Sequence, residues 1–259
     1  MLNNKNEYII MADVEENHWW YKSLRHLVIT GIKKNFKDSN ISIIDAGCGT
    51  GGTINHLQKA GYINITGFDR SEHAVQICRR RNLNVFQDDI RNIGSHFKDN
   101  STDVIICNDV FYFFTDSERM DIMMSFCDIL RKIGIIIMIL PAMNIFSGIH
   151  DRAVGIAGRF TRDDVGKIAG NIPLGIVKNI FWPFVLSPFI FAVRIKQRLQ
   201  LKLFKKTGIK SDLHMPNKII NEILYRMVLI ENTLFNSKPM GSSIFLILKN
   251  EKNIPSTIF

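Results

Sequence analysis

From residue 41 to residue 140 the chain alternates short β-branched runs with helical stretches. ISIID (41–45), NITGFD (64–69), LNVFQ (83–87), TDVIICN (102–108) and GIIIMIL (134–140) read as strands. Helices are predicted between them, through Leu57 and Ala60, over 72–81, and over the amphipathic stretch 117–131. Strands apolar on both faces and separated by helices predict a parallel sheet covered on both sides. Right-handed crossovers then make the α/β fold doubly wound, with ligands at the carboxyl ends of the strands. After Pro141 the rhythm changes. FTRDDVGKIAG (160–170) reads as a helix with Thr161 as N-cap and Asp164 three residues on, an approximate capping box. LGIVKNIF (174–181) reads as a strand, 183–206 and 216–232 as helices, and SSIFLILKN (242–250) as the last strand. The expected organisation is a helical cap at 1–40, an α/β core at 41–181, a helical insertion or lid at 182–240, and the closing strand with its tail at 241–259.

Composition narrows this picture without redrawing it. With 46% hydrophobic and 22% charged residues among 259, the chain is a folded globule rather than a disordered one. No run reaches the roughly 18 apolar residues of a membrane-spanning helix, and no secretory signal peptide is visible. Cys48, Cys78, Cys107 and Cys127 are scattered, with neither a C-x-x-C pair nor metal-ligand spacing, so no metal site is expected. Reduced thiols and a cytoplasmic location follow as expectations.

Charge is uneven. Residues 1–150 hold 16 basic and 17 acidic side chains, whereas residues 151–259 hold 17 and 7. Seven basic residues and no acidic one lie between Arg194 and Lys210. They follow IFWPFVLSPFIFAV (180–193), 14 residues in which only Ser187 is polar. That run is too short to span a bilayer but suits a helix lying in its interface, started or kinked by Pro183 and Pro188. Two readings stay open: a segment over 180–210 resting on an anionic membrane surface and admitting a lipid-linked acceptor, or an internal lid with a solvated basic tail. Nucleic acid is disfavoured, because no aromatic platforms interleave with the basic residues.

The densest chemical signal is IIDAGCGTGG (43–52), a Gly-rich turn between a buried strand and a helix. Gly47, Gly49 and Gly52 fit G-x-G-x-x-G, a pattern weak by itself. Asp45 precedes the first glycine by two residues, where an anion would repel a pyrophosphate but suits a cationic amino group. Asp69 ends the second strand and is placed to accept both ribose hydroxyls, a role shared with dinucleotide enzymes. Asp88 and Asp89 follow the third strand, where a carboxylate can accept from the exocyclic amine of adenine. These acids favour S-adenosylmethionine, with S-adenosylhomocysteine as product, over NAD.

At these residues the sequence resembles the class I S-adenosylmethionine-dependent methyltransferases, of the bacterial type 11/type 12-like group. The motifs are D-A-G-C-G-T-G-G, G-F-D-R-S, Q-D-D-I-R-N-I and C-N-D-V-F-Y-F-F. The resemblance carries Gly47, Cys48, Gly49, Arg70, Ile90 and Asn108 into the cofactor site beside the acids. Tyr112 and Phe113 stand where many members have Glu-His. A narrower resemblance covers H-W-W-Y-K-S-L-R (18–25), H-D-R-A-V-G-I-A-G-R-F-T-R-D-D-V (150–165) and S-D-L-H-M-P (211–216). It implies a seven-stranded, mostly parallel sheet whose last strand is antiparallel, and it places Arg25 near the cofactor carboxylate.

Methyl transfer from a sulfonium is a direct in-line displacement, so positioning supplies much of the rate. For an O or N nucleophile a proton acceptor helps, and His150 and His18 are the first candidates, with Tyr21, Tyr112 and Asp109 behind them. Trp19, Trp20, Tyr21 and Asp109 are the expected acceptor contacts. The acceptor is expected to be a small molecule, a peptide or a lipid-linked group. A non-catalytic cofactor-binding partner in a biosynthetic complex is the reading from another class.

Overall fold

The computed structural model describes residues 5–149, 151, 155, 156, 158–204 and 214–250. Two helices, α1 (Lys5–Val14) and α2 (Trp19–Asn35), precede the sheet. The core then runs β1 (Ile43–Ala46), α3 (Gly52–Lys59), β2 (Ile65–Asp69), α4 (Glu72–Arg80), β3 (Val85–Gln87), α5 (Ile93–His96), β4 (Thr102–Asn108), α6 (Asp116–Ile129) and β5 (Leu130–Pro141). It closes with α7 (Arg162–Gly170), β6 (Leu174–Trp182), α8 (Ser187–Phe204), α9 (Lys218–Leu234) and β7 (Ser243–Asn250).

The seven strands lie in the order β3-β2-β1-β4-β5-β7-β6. β7 is antiparallel to β5 and β6, and the other neighbours are parallel. Chain direction across the sheet reverses between β1 and β4, which opens a crevice at their carboxyl ends. Asp45, Asp69, Asn108 and Pro141 all sit on that edge. The strands are apolar on both faces because each face carries its own core. Ile44, Phe68, Ile136 and Met138 pack with Phe126 and Met123 of α6 on one side. Ile43, Val104, Ile137 and Phe245 pack with Val28 and Ile32 of α2 and Val228 of α9 on the other. α7 forms as its sequence predicts, with Thr161 and Asp164 exchanging both bonds of a capping box.

Two boundaries depart from the sequence reading. β5 begins at Leu130, inside the stretch read as helix, because α6 ends at Ile129. Its register with β4 shifts between Thr102 and Val104, opposite Ile133 at φ +67°. The local kink, with Gly134 beside it, hid the strand's first turn from a pattern search. The apolar run 180–193 is split as well. Its first residues complete β6, Pro183 follows in a loop, and α8 starts at Ser187 with Pro188 in its first turn, where a missing N–H costs nothing. Lys205, Lys206 and Lys210 of the basic block lie outside the described residues. Among the described residues no helix is long and apolar enough to cross a membrane.

Candidate active site

A cavity of about 950 Å³ opens at the switch point between β1 and β4. That volume lies at the upper end of small-molecule sites, enough for two ligands side by side. Its floor is the Gly-rich turn, its near wall α1 and α2, and its far rim α8 and α9. Gly47 adopts φ +79°, and a Cβ there would lie 2.5 Å from Val110. A Cβ on Gly52 would lie 2.3 Å from the Glu15 carboxylate. The turn is therefore glycine-rich as much to seat the protein's own cap as to admit a ligand.

The cap is held by charge. Glu15, at the end of α1, accepts from the Thr50 hydroxyl at 2.7 Å and pairs with Arg81. Arg81 also donates to the Thr50 and Ala12 carbonyls at 2.9 and 3.0 Å. Arg25 is buried, and its terminal nitrogens donate to the Glu15 and Glu16 carbonyls at 2.8 and 2.9 Å, leaving Nε without a partner. Its first duty is thus to hold the α1–α2 turn, with one donor remaining toward the cavity it lines. Sequence reasoning missed Glu15 and Arg81, since 66 residues separate them and no spacing rule connects them.

Of the described acids lining the cavity, Asp45 has the buried oxygen without a protein donor, Oδ2, and is 3% exposed. Desolvation, with Asp69 and Glu15 nearby, pushes its carboxyl up to about 7. A buried acid without a partner, among other acids, is a seat for a cationic group. Asn108, at the end of neighbouring β4, likewise has both amide atoms buried and unpartnered. Asp69 accepts from the Gly49 and Ser71 N–H groups at 2.9 and 2.8 Å, which fixes its carboxylate at the lip of the turn. Burial still raises its pKa. The Cys48 thiol is pushed well up by its hydrogen bond with Cys78 and by burial, which rules out a thiolate at neutral pH.

The third-strand acids stand in the wall, but both are already engaged. Asp88 accepts from Asn92 at 2.7 Å and meets His96, and these bonds hold its carboxyl low. Asp89 is gripped by Arg91 through Nε and Nη2, each at 2.9 Å, with Arg70 at 3.6 Å. An adenine amine would share these acceptors rather than fill a vacant one. Ile90 is buried beside them and lines the same wall.

His18, Trp19, Trp20, Tyr21, Asp109 and Tyr112 all line the cavity as well. Trp20 packs on Trp182 with ring centroids 4.5 Å apart, and the Trp19 N–H donates to Asn221 at 2.8 Å. His18 caps α2, its Nδ1 accepting from the Trp20 N–H at 3.2 Å. The ring proton then sits on Nε2, and burial with His214 nearby pushes the pKa down to about 4. His18 is a neutral donor whose one basic nitrogen is occupied. Tyr21 and Tyr112 are raised by burial, with carboxylates among the further causes, so neither becomes a phenolate at neutral pH. His150 lies outside the described residues. Its neighbour Asp151 forms a buried pair with Arg159 through two 2.7 Å bonds. Arg159 adds bonds to the Ala142 and Ser242 carbonyls, both at 3.0 Å, and reaches the cavity wall.

Asp109 stands apart. It holds φ +55°, an uncommon conformation for a residue with a side chain, and desolvation pushes its carboxyl up to about 7 against the pull of Arg159. Among the described residues no cluster of His, Cys, Asp and Glu could hold a metal ion.

Comparison with known proteins agrees with this architecture. Residues 37–158 match the family model described as "Methyltransferase domain". No curated protein matches the sequence significantly. Among solved structures, the methyltransferase chain of a complex with the Haloferax volcanii Trm112 methyltransferase activator is similar at a TM-score of 0.60 and 15% identity, covering 96% of this chain and 97% of that one. A SAM-dependent methyltransferase from Archaeoglobus fulgidus is similar at 0.56 and 15%, covering 87% and 94%. Geranyl diphosphate C-methyltransferase from Streptomyces coelicolor A3(2), in complex with Mg2+, geranyl diphosphate and S-adenosyl-L-homocysteine, is similar at 0.51 and 12%, covering 82% and 74%. The domain match over β1 to β5, the strand order and a crevice with an orphaned acid suited to a cationic methyl donor agree. Residues 37–158 thus carry a methyltransferase domain by that match, set in the sheet fold that these solved methyltransferases share.

Proposed function

We propose that the chain methylates an oxygen or nitrogen nucleophile on a small-molecule or lipid-linked acceptor, and that Asp109 takes the proton the nucleophile releases. The observation that carries this reading is the Asp109 carboxyl, desolvated in the cavity with a pKa near 7. A general base works best when its pKa lies close to the operating pH, and among the described candidates for the base only Asp109 has such a value.

When bound, S-adenosylmethionine supplies a methyl group on a positively charged sulfur that departs as a neutral thioether. Asp45 and Asn108 would hold its amino-acid end, and Asp69 its ribose. Tyr21 and Tyr112, kept protonated, would donate hydrogen bonds to the acceptor. Trp19 and Trp20 would exclude water and offer flat apolar surface. α1, latched by Glu15, covers the cofactor side as a cap, and α8 with α9 serves as the lid on the acceptor side. The cavity's size supports an acceptor with an apolar portion, as geranyl diphosphate is for the Streptomyces coelicolor enzyme.

Two measurements test this. Calorimetric titration with S-adenosylhomocysteine is expected to show binding, weakened by about 1–3 kcal/mol in Asp69→Ala. An unchanged affinity in the folded variant would remove Asp69 from the ribose site. Turnover of methyl-labelled cofactor against hydroxyl- and amine-bearing metabolite, peptide and glycolipid fractions is expected to label one fraction. Intact binding with no labelled fraction would favour a non-catalytic cofactor-binding partner.

A further inference from the structure

The two insertion helices use only part of their surface to build the fold. α9 turns Asn221, Leu224, Val228 and Glu231 inward: Asn221 bonds the Trp19 N–H and the Asn17 carbonyl, and Glu231 accepts from the Phe184 and Val185 N–H groups. Away from that face runs a second apolar stripe: Ile219, Ile223, Met227, Ile230 and Leu234, exposed by 71, 51, 37, 58 and 67%. The spacing of four, four, three and four residues keeps it on one side of the helix along its whole length. On α8 Ile190 faces the core, while Phe191, Ile195 and Leu199, four residues apart, are exposed by 37, 39 and 53%, and Phe189 is 63% exposed on another side of the helix. Glu231 of α9 holds the loop that leads into α8, and both helices line the one cavity, through Phe189 and Ile190 and through Ile220 and Leu224.

Exposed apolar surface on this scale marks a surface that something covers. Charge says what. The sequence of α8 holds Arg194, Lys196, Arg198 and Lys202 and no acidic residue; Lys196 is exposed, whereas Arg198 donates to the Ser147 and Ile145 carbonyls and Arg194 is half-buried at the cavity. On α9, Lys218 and Arg226 face only Glu222 at the surface, since Glu231 is buried against Lys238. A second copy of the chain docked through this face would bring two basic helices together. An anionic surface satisfies the basic and the apolar residues at once. The face also continues into the cavity: Phe189 and Ile220 line its mouth and are 63 and 54% exposed.

We propose that the outward faces of α8 and α9 dock on an anionic lipid bilayer, so that the apolar part of the acceptor enters the cavity from the membrane. The docking stands on this surface alone, and the acceptor route rests on the methyl-transfer reading above.

Flotation of the full chain with phosphatidylcholine vesicles, with and without phosphatidylglycerol, tests it. Binding is expected on the anionic vesicles at low salt, weakening as salt rises and slight on the neutral ones. The variant Ile223→Glu with Ile230→Glu is expected to lose at least about tenfold in vesicle affinity, because charge enters the apolar face. Both residues are exposed and outside the cavity, so its affinity for S-adenosylhomocysteine is expected to stay that of the wild type, which reports folding. A wild type that stays unbound on anionic vesicles, or a double variant that binds like it, overturns the proposal. A wild-type dimer by light scattering that the double variant abolishes overturns it too, in favour of a second copy. Failed flotation with intact cofactor binding sinks the docking alone; lost cofactor binding by the wild type sinks the enzyme reading instead.

Discussion

Asp109→Asn is expected to lower kcat by about 10²–10⁴-fold while S-adenosylhomocysteine affinity stays within about threefold of the wild type. The amide keeps the shape and the left-handed backbone that Asp109 already occupies, since Asn tolerates that region as well as Asp does. Only the capacity to accept a proton is lost. The wild-type rate has a predictable pH dependence. Below about 7 the Asp109 carboxyl is protonated and inactive as a base, so kcat should climb with pH through that value and level off above it. Single-turnover rates with the identified acceptor, at cofactor concentrations that saturate the site so that Asp45 stays ionised, would show the inflection between about pH 5.5 and 8.5. If Asp109→Asn keeps the wild-type rate and profile, proton transfer belongs elsewhere, with His150 next in line.

The second large effect falls on binding. Asp45→Asn removes the charge facing a cationic ligand and should weaken S-adenosylmethionine by about 1.5–3 kcal/mol, roughly 10–150-fold. In the free protein the Asp45 carboxyl is protonated below about 7. A ligand ammonium binds the ionised form, so wild-type affinity should rise as pH passes from about 6 to 8 and binding should release protons in that window. Titration in two buffers of different ionisation enthalpy reads the released protons, and Asn at this position should abolish them. The same shift carries a stability sign. The folded pKa of about 7 lies above the ordinary carboxyl value of 3.8, so this group's contribution is full below about pH 4 and is lost as pH rises from there to about 7. The ligand-free Asn variant should therefore gain on the wild type in thermal stability between about pH 4 and 7 and keep that gain above it. Equal proton release by both proteins would remove Asp45 from the amino-acid end of the site.

How far the site was legible depends on how local its chemistry is. Asp45, Asp69 and the glycines declare themselves because strand end, turn and helix start are contiguous in sequence. Thr161 and Asp164 declared a helix start for the same reason. Asp88 and Asp89 were legible as positions but not as partners, since Asn92, His96 and Arg91 took up their carboxylates. His18 read as a base until its Nδ1 proved to be the cap of α2. Asp109 was one candidate among several, because nothing in its neighbours announces desolvation.

The sequence alone determined the strand order's raw material, the cofactor turn and the unbalanced charge of the C-terminal half, all properties that periodicity and adjacency express directly. The tertiary structure decided the rest. It chose Glu15 and Arg81 as the latch of the cap, left one Asp45 oxygen and the Asn108 amide buried without protein partners, and raised the Asp109 carboxyl toward neutrality. It also divided α9 into one apolar face that the core uses and another that it does not. Burial and pairing across dozens of residues are set by packing, and packing is a property of the whole fold rather than of any stretch of chain.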